Sequence, residues 1–275
     1  MPEIVTGYFT VGWQQIVLLN VLCVAVASGA LSPLIVSNRM GFFSDAIAHS
    51  TLAGVALGLL LGINPIMSMI GAGVVVALLI AAMRQKSGLS VDALLGVALA
   101  GSLAIGVILY HFARGYADMH AYLFGRLTFL DSGDLVALCG AALLSLLVVA
   151  LYSNQFALLA VSRPLAKSRG VKAARYDFIL IVLLGLVVSV CVRAVGLLLV
   201  NALMVIPAAT SKNFARSYRG MCWGALGVSL LASMGGLFAG GVFKIPEGPA
   251  IVVIGVAIFL VSYVWRMATH GMGEV

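Results

Sequence analysis

Charge is what this chain has least of. Only 9% of its 275 residues are Asp, Glu, Lys or Arg, against roughly a quarter in an ordinary soluble domain. Cysteine is also sparse. Cys23, Cys139, Cys191 and Cys222 sit in or beside apolar runs at unrelated spacings, with no CxxC, so a disulfide framework is not expected and the four read as small apolar side chains. GxxxxGK[ST] is missing, so the chain has no phosphate-binding loop of its own. HExxH and the GxSxG elbow are missing too, which leaves a membrane enzyme without support. No run resembles a basic nucleic-acid arm, although the net charge is +7. The N-terminal MPEIVTGYFT is acidic rather than basic, so no cleavable signal is expected there.

Apolar sequence fills the space that charge leaves. Hydrophobic residues make up 63% of the chain. They recur as segments of about 20 residues, the length that crosses a bilayer as helix. Runs such as LLVVALY at 146–152 and VVVALLIAAM at 74–83 are continuously apolar, whereas barrel strands alternate. The sequence therefore predicts an all-α, polytopic helical membrane protein with a single transmembrane domain over 1–275.

Candidate spans are about 13–37, 43–62, 64–83, 92–112, 134–153, 177–193, 195–209, 220–242 and 249–268. The segment 195–209 is short and ends in Pro207, so eight or nine crossings are both defensible. The loops then sort by side. Arg39, Arg84, Lys86, Arg163, Lys167, Arg169, Lys172, Arg175, Lys212, Arg216, Arg219 and Arg266 fall on one side, and Arg114, Arg126, Arg193 and Lys244 on the other. Basic residues gather in the cytoplasm, so the first side is inner, with the N-terminus outside and the C-terminus inside.

Glycine spacing points to close helix packing. Gly54, Gly58 and Gly62, Gly220 and Gly224, and Gly236 and Gly240 are four residues apart, the step that lets backbones approach in lipid. This says nothing about substrate.

Chemistry is concentrated in a few places. Asp45 and His49 stand four residues apart at the start of an apolar segment, on one helix face. Ionisable side chains in a membrane span usually face a pathway or a partner, and carboxylate plus imidazole is a pair of metal ligands. The alternative is a polar helix start, with Ser44 as N-cap and Asp45 favourable in the first turn. Both readings stay open on the residues alone.

A second place is 195–220, VGLLLVNALMVIPAATSKNFARSYRG. A helix broken at Pro207 is expected to give way to a short basic cytoplasmic helix, started by Thr210 or Ser211 and carrying Lys212, Arg216 and Arg219. Docking on a partner and contact with anionic lipid are both open for it. A third is the outer loop with His111, Asp118, His120, Asp131 and Asp134, which reads either as an acidic mouth that attracts cations or as a solvated loop. Arg193 reads as a side chain that snorkels to the interface.

Several stretches together resemble the permease subunits of bacterial ABC-type metal-ion importers, which take up zinc, manganese or iron, and most of all the zinc-uptake type. They are SDAIAHSTLAGVALGLLLGINP at 44–65, VDALLGVALA at 91–100, HAYLFGRL at 120–127 and VGLLLVNALMVIPAATSKNFAR at 195–216, with GPAIVV at 248–253 a weaker echo. The first and the IPAAT segment are the specific ones. Arg126 departs from the zinc type, whose members tend to have an acidic residue there.

The resemblance implies a permease bundle in the inner membrane, paired as a homodimer with two cytoplasmic ATPase subunits. A periplasmic or extracellular metal-binding protein would deliver the ion. ATP would be used by the partner, and no cofactor would be held permanently. It implies that Asp45 and His49 line the ion path, and that the segment carrying Thr210, Ser211, Lys212, Phe214, Arg216 and Arg219 couples to the ATPase. A rival of another class is a stand-alone transporter coupling metal to protons through the same Asp and His. An ABC permease for a non-metal substrate is a further alternative, and an intramembrane metalloprotease lacks its motif.

Overall fold

The computed structural model describes residues 12–86, 88–112 and 132–270. Its elements are α1 (Gly12–Ser37), α2 (Phe43–Leu61), α3 (Pro65–Lys86), α4 (Val91–Phe112), α5 (Ser132–Val161), the short α6 (Arg163–Ser168), α7 (Ala173–Ser211), α8 (Tyr218–Phe243) and α9 (Glu247–His270). Eight of them are long and apolar enough to cross a membrane, with α6 the exception.

Burial separates central from peripheral helices. The most apolar window is 72% buried in α1 and 67% in α7, against 17% in α4 and 22% in α5 and α9. The core therefore forms around α1 and α7, where Leu31, Leu34, Ile35, Leu184, Val187, Val188 and Val200 meet. The outer helices turn Val97, Ile108, Leu143, Leu147, Val261 and Val264 outward. In water such faces would be a liability; lipid is as apolar as they are.

Of the spaced glycines, Gly236 lets α8 approach the α9 backbone at Ile251, and Gly54 and Gly58 do the same for α2 and α3. A Cβ on Gly54 would stand 2.6 Å from Ala72 Cβ, and one on Gly58 would stand 2.8 Å from Ser68 Cβ. The hydroxyl of Ser68 donates to the Gly54 carbonyl at 2.6 Å across the same seam. α2 and α3 thus touch backbone to backbone. Gly62, the third of the series, ends α2 in the left-handed conformation at φ 66° instead.

The expected spans 177–193 and 195–209 turn out to be one 39-residue element, α7, that folds back on itself. Its first arm runs antiparallel to α3. Asp177 pairs with Arg84 at 3.6 Å at one end. Gly185 packs on Ala77 and Ser189 on Gly73 in the middle. Arg193 and Ala194 share a cavity with Asn64 and Met67 at the other end. At Gly196 the backbone takes φ 80° and ψ 167°, a region open essentially to glycine alone.

The second arm then returns. The Ala208 N–H donates to Ser32 Oγ at 3.0 Å, near the end of α1. Ser211 Oγ donates to the Met221 carbonyl at 2.9 Å at the start of α8. Past α1, Met40 Sδ accepts from Arg84 at 3.3 Å, which puts this end of the bundle level with Asp177. Among the described residues eight elements therefore make nine passages, with Gly12 and His270 on opposite faces, the latter on the side of the basic loops.

Pro207 does not end the helix as expected; α7 runs on to Ser211. Proline interrupts the backbone ladder. Lacking an N–H, it leaves the Leu203 carbonyl without its helical donor, and the next N–H, Ala208, turns to the Ser32 hydroxyl of α1.

The cysteines hold one contact that their spacing did not reveal. Cys23 Sγ of α1 lies 3.2 Å from Cys139 Sγ of α5, and both are free thiols. A disulfide needs a separation of about 2.05 Å, so closing this one takes a shift of little more than an ångström. Copper-phenanthroline oxidation of the membrane-embedded protein is expected to join Cys23 to Cys139 while Cys222 stays available to alkylation. Peptide mass spectrometry before and after reduction checks it.

Candidate metal path

α2 starts without a side-chain cap. Its N-cap position is Phe42, and Ser44, expected there as a capping residue, lies inside the helix, fully buried, with no partner for its hydroxyl. Asp45 does stand in the first turn. Its carboxylate, however, is engaged elsewhere, by a hydrogen bond from the side-chain Nδ2 of Asn201 on the returning arm of α7.

His49 lies one turn further along α2, on the same helix face as Asp45. Both are partly buried. The His49 Nδ1 is shielded from solvent and has no hydrogen-bond partner, and neither has the Asn201 Oδ1. Buried polar atoms are nearly always satisfied, so two unmet polar atoms beside a carboxylate call for an explanation. The amide oxygen has lone pairs, and a ring nitrogen that carries no proton has one, so both are able to ligate a cation. Among the described residues no group of three or more His, Cys, Asp or Glu gathers, so one chain presents Asp45 and His49 as an incomplete set.

Asn201 was not singled out from sequence. The signal was present: a lone amide inside LLLVNALMV, in a span where polar side chains serve as interhelical contacts.

The segment expected to couple to a partner has a different form. Residues 212–217 are turn and bend, not a short helix. The next helix is instead started by Ser217, whose hydroxyl accepts from the Gly220 N–H at 3.1 Å. Thr210 and Ser211 are fully buried, and Ser211 is tied to Met221. Lys212, Phe214, Arg216 and Arg219 are exposed. The face that a partner could touch is therefore basic with one aromatic ring, and Thr210 and Ser211 sit behind it.

At the opposite end, Asp118, His120, Arg126 and Asp131 lie outside the described residues. His111 lies in the last turn of α4, its ring edge-on to Phe112 at a centroid distance of 5.8 Å. Asp134 is paired with Arg193 at 2.8 Å. Arg193 thus does more than snorkel: it clasps α7 to α5 just before the turn at Gly196, and it offsets the negative charge that Asp134 was expected to lend to the outer mouth.

Known proteins resemble this chain over nearly its whole length. The manganese import system permease protein ScaB of Streptococcus gordonii is 31% identical over 263 residues, covering 96% of this chain and 95% of that protein. The high-affinity zinc uptake system membrane protein ZnuB of Haemophilus influenzae is 30% identical over 247 residues, covering 89% and 94%. Among solved structures, PsaBC from Streptococcus pneumoniae in complex with Fab superposes with a TM-score of 0.82 at 29% identity, covering 95% of each chain. The model of the ABC 3 transport family matches residues 13–266. A bundle of eight apolar helices, matched from its first helix to its last, makes this chain a member of the ABC 3 transport family, a multi-pass permease of the bacterial plasma membrane of the kind found in ABC-type metal importers.

Proposed function

We propose that this chain forms the ion path of an ATP-driven importer of a divalent transition metal, and that Asp45 and His49 are ligands along it. The observation that carries this is the unpartnered His49 nitrogen one turn from the Asp45 carboxylate, two ionisable side chains inside a membrane span. Two copies related by a two-fold axis along the path would bring together two carboxylates and two imidazoles, the number of ligands zinc prefers. Two ATPase subunits would dock on the exposed Lys212, Phe214, Arg216 and Arg219, and a metal-binding protein would deliver the ion from outside. Closure of the ATPases would move this segment, rock the two copies and exchange an outward-open site for an inward-open one. Incomplete coordination suits a site that must release its ion.

Zinc is the ion that the Asp45 and His49 pair, taken alone, puts first. Manganese is the second reading, favoured by the Asn201 amide, which offers a harder oxygen donor beside the pair, and supported by relatives named as manganese permeases.

The test is metal accumulation in cells lacking their own zinc uptake. They would express this chain with its ATPase and binding protein, as wild type and as His49→Ala. Zinc, manganese and iron would be read together by elemental mass spectrometry. Zinc uptake restored by wild type and lost in an equally expressed His49→Ala supports site and metal together. Manganese uptake alone keeps the path and changes the ion. Equal uptake by both proteins removes His49 from the path.

A further inference from the structure

We infer that Asn201 is a third ligand to the cation and that its amide oxygen sets the selectivity of the path, an inference that rests on Asp45 and His49 being the ligands proposed above.

The chemistry begins with the hydrogen bond to Asp45. A carboxylate only accepts, so the amide must turn its Nδ2 toward Asp45. Its Oδ1 is then left on the other side of a planar group, buried and without a partner. No hydrogen bond to that oxygen holds the amide in place. The terminal torsion of Asn is soft and roughly two-fold, so a half-turn exchanges Nδ2 for Oδ1 at the cost of one bond. An N–H and a cation compete for the same carboxylate. When a cation takes the Asp45 oxygen, the half-turn presents Oδ1 to it, and the amide changes from a substitute for the ion into a ligand of the ion.

The donor set follows. One chain then gives a carboxylate oxygen, an amide oxygen and an imidazole nitrogen. Oxygen donors suit manganese, and imidazole suits zinc. Asn201 therefore weights the path toward manganese, and its removal returns weight to His49.

The position of Asn201 adds a mechanical consequence. It stands on the returning arm of α7, while Asp45 and His49 stand on α2. That arm ends at Ser211, ten residues or about 15 Å of helix from Asn201, directly before the exposed basic segment. A pull on Lys212 to Arg216 from the cytoplasm draws on the arm that carries the amide and leaves the α2 pair behind. Withdrawing one ligand of three is a way to release an ion without unfolding the site.

The experiment gives cells equal zinc and manganese and reads both by elemental mass spectrometry. Cells express this chain with its ATPase and binding protein, as wild type, Asn201→Leu, Asn201→Asp and Asp45→Ala, at matched amounts in the membrane. Asn201→Leu is expected to lower the manganese-to-zinc uptake ratio by about tenfold or more, since even a group that only orients a ligand costs about that much. Asn201→Asp keeps the oxygen and the size, and is expected to hold the ratio at or above wild type. Asp45→Ala is expected to abolish uptake of both metals.

A ratio unchanged in Asn201→Leu, or uptake of both metals lowered equally, overturns the inference, because an amide that only props Asp45 would not discriminate. A ratio lowered in Asn201→Asp overturns it as well, and decides the matter if the leucine variant fails to reach the membrane. Wild-type uptake by Asp45→Ala would be a different failure, since it removes the proposed path itself.

Discussion

Asp45→Ala is expected to lower metal uptake on the order of a hundredfold or more while the protein still reaches the membrane. Residues that merely orient a metal ligand cost 10–100-fold when lost, and a ligand itself should cost no less. The substitution does more than remove a charge. The Asn201 Nδ2 loses its acceptor, and Oδ1 already has no partner. Both ends of a buried amide would then be unmet, at about 1–3 kcal/mol for the newly orphaned group.

Asp45→Asn separates the two effects. It keeps an acceptor oxygen for Asn201 and removes only the charge, so stability should be restored while uptake stays low. The measurement is accumulated metal per permease copy, with the copy number from quantitative immunoblots. Wild-type uptake in Asp45→Ala would place the ion path elsewhere. Recovery of uptake in Asp45→Asn would reduce Asp45 to a hydrogen-bonding prop for the returning arm.

Much of this was legible in the sequence, and what was not has physical reasons. Span positions follow from apolar length, and the spans expected from sequence correspond to the crossing helices, with the eight-or-nine question resolved by one element that folds back. That question was open because 195–209 is short and ends in Pro207; the positive φ of Gly196 marks the reversal. Pro207 misled in the other direction. α7 carries it and runs on, while the next N–H, Ala208, donates to Ser32, 176 residues away in sequence. The pairing of Asp45 with His49 was readable because helical spacing is local. Its third member was not, because Asn201 reaches Asp45 across 156 residues of chain. Arg193 with Asp134, and Cys23 with Cys139, were missed for the same reason: tertiary contacts between distant spans leave no local pattern.

The second large effect belongs to such a distant pair. Arg84 and Asp177 meet at 3.6 Å with side chains only 6% and 9% exposed, where the first arm of α7 joins α3. Arg84→Leu is expected to destabilise the protein by about 3 kcal/mol, because Asp177 then stays buried without that guanidinium. For a chain of this size that is a fall of about 8 °C in the unfolding midpoint. Asp177→Leu should fall comparably, with Arg84 keeping its contact to Met40 Sδ. The double variant should recover most of the loss, since two apolar side chains of similar volume replace a buried ion pair at little net cost.

The check is the temperature at which half of the detergent-purified protein leaves the monodisperse peak in size-exclusion chromatography, read for all four members of the cycle. Losses that simply add would mean that the two charges act independently. Recovery of stability with uptake still lost would say something further. This pair fixes the foot of α7 on the face where the basic segment lies. A leucine pair could hold the helices together there without holding their register, and the returning arm with Asn201 depends on that register.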